Sequence, residues 1–353
     1  MSSGLRSPSE APKTALVTGA SGFIAKHVVL ELLNAGYRVV GSLRSESRRD
    51  EVRDAVRPRL TSAAGLDRRL RFVNLDLNQD GGWLDAMSGV DVLMHTASPL
   101  PMGQPRDENE LIRPAVDGTL RALRAACAAG IRRVVLTSSS AAVTNRKPVP
   151  GKQRFDESDW SDPAWPGITP YTKSKTLAER AAWDFVADEA PDMELTTINP
   201  CLVLGRPLDD HYGTSLKVVE RLLRGRDPML PRVGLPVVDV EDVAHMHVRA
   251  VTAAGAAGKR IIGADEFMWL TEMTGVLREE YPGRRIPART APDFLIRLTG
   301  LFDRTIRSIV PLLGRRQELD NTRARELLDM EFTPAADSLR ATARYIMERG
   351  LVR

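Results

Sequence analysis

Residues 15–27 read ALVTGASGFIAKH, and this stretch decides the fold. Small and β-prone apolar residues run into two glycines three apart, Gly19 and Gly22, and then into a helical pattern. A strand, a glycine turn and a helix in that order suit a phosphate-binding turn. Gly19 lets the chain turn, Gly22 lets a pyrophosphate approach the backbone, and Ala25 is small enough for close helix–strand packing. Amides at the start of the helix, from Ser21 onward, complement phosphate charge. A glycine turn before a helix is also common elsewhere, so the rest of the chain has to carry the reading.

Outward from this turn the chain alternates strand and helix signals. TALVT (14–18) precedes IAKHVVLELLNAG (24–36), which is helically spaced and stops at Gly36. YRVVGSL (37–43), RFVNLD (71–76) and VDVLMHTAS (90–98) read as strands, with helical segments between them. RALRAACAAGI (121–131) reads as a helix closing on Gly130, and RVVLTSSS (133–140) as the next strand. PYTKSKTLAERAAWDFVADEA (170–190) is the strongest helix, with Pro170 in its first turn, and LTTINP (195–200) is a further strand. Strands separated by helix-length crossovers predict an α/β fold, a doubly wound parallel sheet of Rossmann type. Ligands of such sheets sit beyond the carboxyl ends of the strands.

Past residue 205 proline and glycine turns become frequent. VVDVEDVAHMHVRAV (237–251) is expected to return as a helix. The expected organisation is a tail over 1–12, a nucleotide-binding domain over 13–205 joined by 237–264, and a smaller, mostly helical substrate lobe from 206–236 and 265–353. Within that lobe LIRLTGLFDRTIRSIVPLLGRR (295–316) is basic and amphipathic, and burial against the core is expected over a membrane-surface role.

The 353 residues are 42% hydrophobic and 27% charged, as in a soluble globular protein. No apolar run approaches the ~20 residues that span a bilayer, so no membrane role is expected. MSSGLRSPSEAP (1–12) lacks an apolar signal segment and reads as disordered. Cys127 and Cys201 are far apart with no metal-type spacing, which points to a reduced, cytoplasmic protein without a metal. The net charge is +4, but basic residues interleave with acids, as in RRDEVRDAVRPR (48–59), so nucleic acid is not the expected partner. His245 and His247 are two apart in a helical stretch and face different ways.

The end of the second strand bears on which dinucleotide binds. An acid there holds a ribose 2′-hydroxyl, whereas Gly41-Ser42-Leu43-Arg44-Ser45 has none before Glu46. Arg44 offers a planar fork for a 2′-phosphate, Arg48 can assist, and NADP(H) is favoured over NAD.

The chemistry is carried by the helix at 170–190. Tyr171 and Lys175 are four apart and share one face. A phenol with pKa ~10 is a poor acid or base at neutral pH, and a nearby ammonium is expected to lower that value for general acid–base work. The fifth strand ends in Thr137-Ser138-Ser139-Ser140, and Ser139, with Ser138 as its competitor, is read as the hydroxyl that holds the substrate oxygen.

With these residues in view, residues 13–353 resemble the extended short-chain dehydrogenase/reductases of the epimerase/dehydratase superfamily. TGASGFIAKHVV is similar to that family's nucleotide loop, HTASP (95–99) to its fourth-strand end, and TSS with YTKSK to its Ser-Tyr-Lys triad. FDESDW (155–160), SKTLAERAAWDF (174–185) and INPCLVLG (198–205) resemble the dihydroflavonol reductase-like branch. Ala25 and LLGRRQELDNTRARELL (312–328) are similar to its microbial aldehyde and ketone reductases. Thr144 stands where plant dihydroflavonol reductases have a flavonoid-contacting asparagine, and Gly167-Ile168-Thr169-Pro170-Tyr171 replaces the N-W-Y-C-Y pattern of cinnamoyl-CoA reductases. Neither plant substrate is therefore assumed.

The resemblance implies NADPH-dependent reduction of a small carbonyl substrate to an alcohol, with Ser139, Tyr171 and Lys175 as the catalytic set and Lys175 also on the nicotinamide ribose. It implies that Phe23 and Ile24 line the pyrophosphate loop and that Asp76 and Leu77 flank the adenine. Thr96 and Ala97 would line the ribose side, and Pro200, Leu202 and Val203 the nicotinamide amide. Hydroxysteroid oxidation and nucleotide-sugar chemistry are the alternatives on this fold, and a non-catalytic NADP sensor is the alternative outside catalysis. A monomer or a homodimer is expected.

Overall fold

A computed structural model describes residues 13–99, 107–147, 149–151 and 154–352. The expected disordered tail at 1–12 lies outside the described residues. The chain begins β1 (Thr14–Val17), α1 (Phe23–Asn34), β2 (Arg38–Leu43), α2 (Arg49–Val56), α3 (Leu66–Arg69), β3 (Leu70–Asn74), α4 (Trp83–Ala86) and β4 (Val92–His95). It continues through α5 (Asn109–Ala128), β5 (Arg133–Thr137), α6 (Ala141–Thr144), β6 (Arg154–Phe155), α7 (Pro170–Asp188), β7 (Glu194–Pro200) and β8 (Leu202–Leu204). Then come α8 (Thr214–Arg224), β9 (Gly234–Asp239), α9 (Val240–Thr252), β10 (Lys259–Gly263), β11 (Phe267–Trp269) and α10 (Leu270–Glu280). The last elements are α11 (Asp293–Thr299), α12 (Arg304–Ile309), β12 (Glu318–Leu319), α13 (Thr322–Leu328) and α14 (Ala335–Glu348).

Seven strands form a parallel sheet in the order β10-β7-β5-β4-β1-β2-β3, so the winding reverses between β1 and β4. Alternate residues of each strand serve opposite faces, as the period of two requires. Ala15, Val17, Val39 and Met94 pack with Val28 and Leu32 of α1 and Ala244 and Ala250 of α9. Leu16, Val40, Leu93 and Val134 pack with Leu123 of α5 and Phe185 of α7. Helices on both faces bury both, which is why these strands read as continuous apolar runs. This is the expected doubly wound Rossmann sheet.

A smaller sheet, β11-β9-β8, follows, and β12 pairs with β6. Leu222 and Leu223 of α8, Met273 and Leu277 of α10, and Leu339, Ala343 and Ile346 of α14 share a second core, which makes the C-terminal region largely helical.

Three expectations need correction. The helix expected over 121–131 starts at Asn109, because its amphipathic spacing extends upstream through Leu111, Ala115 and Gly118, all buried. The helix expected over 237–251 starts at Val240: Val237 and Val238 are strand residues of β9, and Asp239 caps α9 by accepting from the Glu241 amide at 2.8 Å. Residues 295–316 do not bury one amphipathic face. Gly300 ends α11 and Asp303 precedes α12, so neither helix is long enough to present a continuous stripe. Phe294, Leu298, Leu301 and Phe302 remain more than half exposed, Phe302 by 86%.

Gly41 in β2 is dictated by the Gly19–Gly22 turn packed against it. A Cβ there would stand 2.8 Å from the Ala20 Cβ and 3.0 Å from the Phe72 ring. Gly41→Ala is expected to cost about 1–3 kcal/mol through overpacking, read as a lower denaturant midpoint at unchanged slope. A midpoint equal to the parent's contradicts this account of the turn.

Candidate active site

The residues singled out in the sequence gather at one edge of the large sheet, beyond the carboxyl ends of β1, β2, β4, β5 and β7. Gly19 takes φ +64°, a conformation open to glycine, and the Ser42 hydroxyl accepts its amide at 3.0 Å. Ser42 is thus a buried support of the loop. Gly22 starts α1 with no side-chain cap and no acid in the first turn, so the helix N-terminus presents uncompensated amides. Phe23 and Ile24 lean on a cluster of Val203, Val238, Val240 and Val243, which makes Val203 a core contact of that loop.

Thr18 locks the ends of β1 and β4 together. Its hydroxyl accepts from the Ala97 amide at 3.0 Å and bonds His95 Nδ1 at 2.9 Å, while Thr96 Oγ1 donates to the Thr18 carbonyl. His95 is fully buried, and burial together with the Lys175 charge pushes its pKa down to about 3. Asp76 forms a local turn by accepting from the Asn78 amide at 2.8 Å, and Leu77 follows it, half-buried, on the β3 side.

The two arginines part company. Arg48 spends its guanidinium on Glu51, at 2.8 and 2.7 Å, whereas Arg44 is exposed and makes no ion pair among the described residues. The sequence reading missed the clamp beside them. Lys26 is 1% exposed, and its ammonium bridges Glu51 at 2.6 Å and Asp209, tying α1 to the segment before α8. The Glu51, Asp209 and His211 ligand atoms cluster there, and this lysine already holds the two carboxylates. Its two acids lie 25 and 183 residues away in sequence, and no local pattern signals them. The two histidines of the H-x-H face apart. His245 pairs with Glu31 at 3.4 Å, and His247 bonds the Thr137 hydroxyl at 2.6 Å.

Thr169 caps α7 by accepting the Thr172 amide at 3.2 Å, and Pro170 opens its first turn. That start sets Tyr171, Lys175 and Glu179 at successive four-residue steps on one face. The Ser139 side chain lies close enough to the Tyr171 phenol to act on its pKa. Ser138 points elsewhere, donating to Glu179 Oε2 at 2.5 Å. The structure therefore brings Ser139, not Ser138, to the tyrosine. Burial holds the Tyr171 phenol above its ordinary pKa, with Ser139 pulling the other way. The expected lowering by Lys175 is not what this structure shows, since Lys175 is itself buried and its pKa is pushed down to about 8, with Glu179 opposing. Its ammonium makes no hydrogen bond or ion pair among the described residues, and it is 8% exposed. A buried, unpartnered ammonium beside a phenol, an uncapped helix N-terminus and an unpaired arginine at the end of β2 together suit a phosphorylated dinucleotide.

Residues 15–262 match the NAD dependent epimerase/dehydratase family. A cinnamoyl-CoA reductase, CAD2, of Medicago truncatula is 32% identical over 94% of this chain and 95% of its own. A putative NADPH-dependent methylglyoxal reductase, GRP2, of Candida albicans is 33% identical over 76% of this chain and 83% of its own. Among solved structures, yeast methylglyoxal/isovaleraldehyde reductase Gre2, complexed with NADPH, superimposes with a TM-score of 0.79 at 26% identity, covering 96% of this chain and 100% of that one. The chain belongs to the NAD dependent epimerase/dehydratase family, the extended short-chain dehydrogenase/reductases, with dihydroflavonol reductase-like relatives. No helix among the described residues is long and apolar enough to cross a membrane.

Proposed function

We propose that this chain reduces an aldehyde or ketone to an alcohol with NADPH. The carrying observation is Ser139 beside Tyr171, with Lys175 one turn further along α7 and near His95 at the end of β4, and Arg44 unpaired at the end of β2. The names of the relatives support the reading, because a methylglyoxal reductase and an NADPH complex are among them. Gly19 and Gly22 leave room for the pyrophosphate, which the Ser21 amide and the first amides of α1 hold, flanked by the side chains of Phe23 and Ile24. Arg44 holds the 2′-phosphate, and Asp76 and Leu77 flank the adenine. Thr96 and Ala97 lie toward the ribose, Lys175 binds the nicotinamide ribose, and Pro200, Leu202 and Val203 border the nicotinamide amide.

When bound, the reduced nicotinamide supplies a hydride to the carbonyl carbon. Ser139 donates a hydrogen bond to the carbonyl oxygen as negative charge develops on it. Tyr171 gives that oxygen its proton, and the Lys175 ammonium stabilises the phenolate left behind. An aldehyde, α-diketone, β-ketoester and aryl-ketone panel, followed by NADPH absorbance, tests the reading. Consumption with no member of the panel overturns it.

Cofactor choice gives a sharper check. Arg44→Ala removes a charge-assisted pair worth about 1.5–3 kcal/mol, so NADPH affinity is expected to fall roughly ten- to a hundredfold. NADH affinity should barely change. The measurement is the ratio of kcat/KM for the two cofactors at fixed ionic strength, because salt screens the contact. An unchanged ratio removes Arg44 from the phosphate site.

A further inference from the structure

Behind the triad lies a buried charged cluster that the proposed chemistry does not use. Glu179 is 1% exposed and collects donors from five side chains, one of them Trp183 Nε1 of its own helix at 3.4 Å. Its carboxylate accepts from Ser138 Oγ of the β5 turn at 2.5 Å, Asn199 Nδ2 of β7 at 2.7 Å and Thr197 Oγ1 at 3.1 Å. Arg260 Nε of β10 donates to it at 2.7 Å. Arg260 is itself fixed, donating to the carbonyls of Glu157 and Asp159 at 2.8 and 2.7 Å and stacking on Trp160 at 3.7 Å. Asn199 also donates to the Ser139 carbonyl at 3.2 Å, so both serines of the turn are held from this point.

A buried ion pair that served packing alone would gain little over apolar residues of the same volume. This one touches the backbone that presents Ser139 and lies one helical turn beyond Lys175. We propose that Glu179 is a positioning residue for carbonyl reduction, holding the Ser138–Ser139 turn in register with Tyr171 and facing Lys175 with its negative charge. The proposal rests on the carbonyl-reductase reading. The charged and titratable groups around the two side chains are Arg260 on Glu179, Tyr171 beside Lys175 on α7, and neutral His95 of β4 near Lys175.

Ser138→Ala removes one tether of the turn and leaves the other donors to Glu179. Thr197→Val removes a donor to the same carboxylate that has no hydrogen bond to the turn itself and reaches it only through Asn199 Oδ1, at 3.1 Å. Ser138→Ala is expected to lower kcat about tenfold with NADPH Kd unchanged, while Thr197→Val keeps the parent kcat and only lowers Tm. In Glu179→Gln, NADPH affinity measured by fluorescence against pH should lose its alkaline limb about one pH unit lower, since the ammonium of Lys175 gives up its proton earlier. Parent kcat in Ser138→Ala, or equal losses of kcat in both single variants, overturns the proposal. So does an unmoved limb in a folded Glu179→Gln. If Glu179→Gln does not fold, the two smaller variants decide. An active parent with any of these contrary results defeats the proposal alone, whereas a parent that oxidises no NADPH with the carbonyl panel defeats the functional reading and the proposal with it.

Discussion

Tyr171→Phe is expected to lose three or more orders of magnitude in kcat while NADPH Kd stays within about twofold. The substitution keeps the ring on α7 and removes only the hydroxyl, whose pKa Ser139 influences. Without it no group at this position gives the nascent alkoxide a proton. Burial raises the phenol pKa in the free protein, so Tyr171 carries its proton at neutral pH and is ready to act as an acid in the reduction direction. Stopped-flow measurement of NADPH oxidation, with binding followed separately by fluorescence, separates the two effects. Turnover within tenfold of the parent takes the acid role away from Tyr171.

Lys175→Ala should damage both quantities. A loss of about a hundredfold or more in kcat is expected, together with about tenfold weaker NADPH binding, because in the proposed mechanism one ammonium both steadies the phenolate and contacts the ribose. The Lys175 pKa near 8 gives the effect a pH signature. Its charge is present below that value and lost above it, so NADPH affinity of the parent falls as pH rises through about 8. Lys175→Ala should be weak throughout and lack that step. Parent-like NADPH affinity in the variant refutes the ribose contact.

What the sequence revealed and what it hid follow from the range of the interactions. The ALVTGASGF turn and the Tyr171–Lys175 spacing are local patterns, set by glycine conformation and helix periodicity, and the structure places both at the same sheet edge. The choice between Ser138 and Ser139 was open in sequence because adjacent residues differ only in direction. In the structure Glu179 takes the Ser138 hydroxyl, which favours Ser139 in the proposed role. Arg260 reaches Glu179 from 81 residues away, and no spacing rule signals such a pair. The lowering of the tyrosine pKa by lysine was expected from proximity, yet burial of both groups opposes both charged forms. The burial expected for 295–316 fails at Leu298, Leu301 and Phe302 because the apolar spacing spans Gly300, where the helix ends.

Hydride transfer to a carbonyl carbon is the central claim, and isotope transfer measures it directly. NADPH deuterated at nicotinamide C4 on its transferred face is to be incubated with the best substrate of the carbonyl panel, and the product analysed by NMR and mass spectrometry. One deuterium on the new carbinol carbon, with formation of that product abolished in Tyr171→Phe, is the predicted result. An alcohol product without the label, or the same labelled product at parent rate in Tyr171→Phe, would contradict the account.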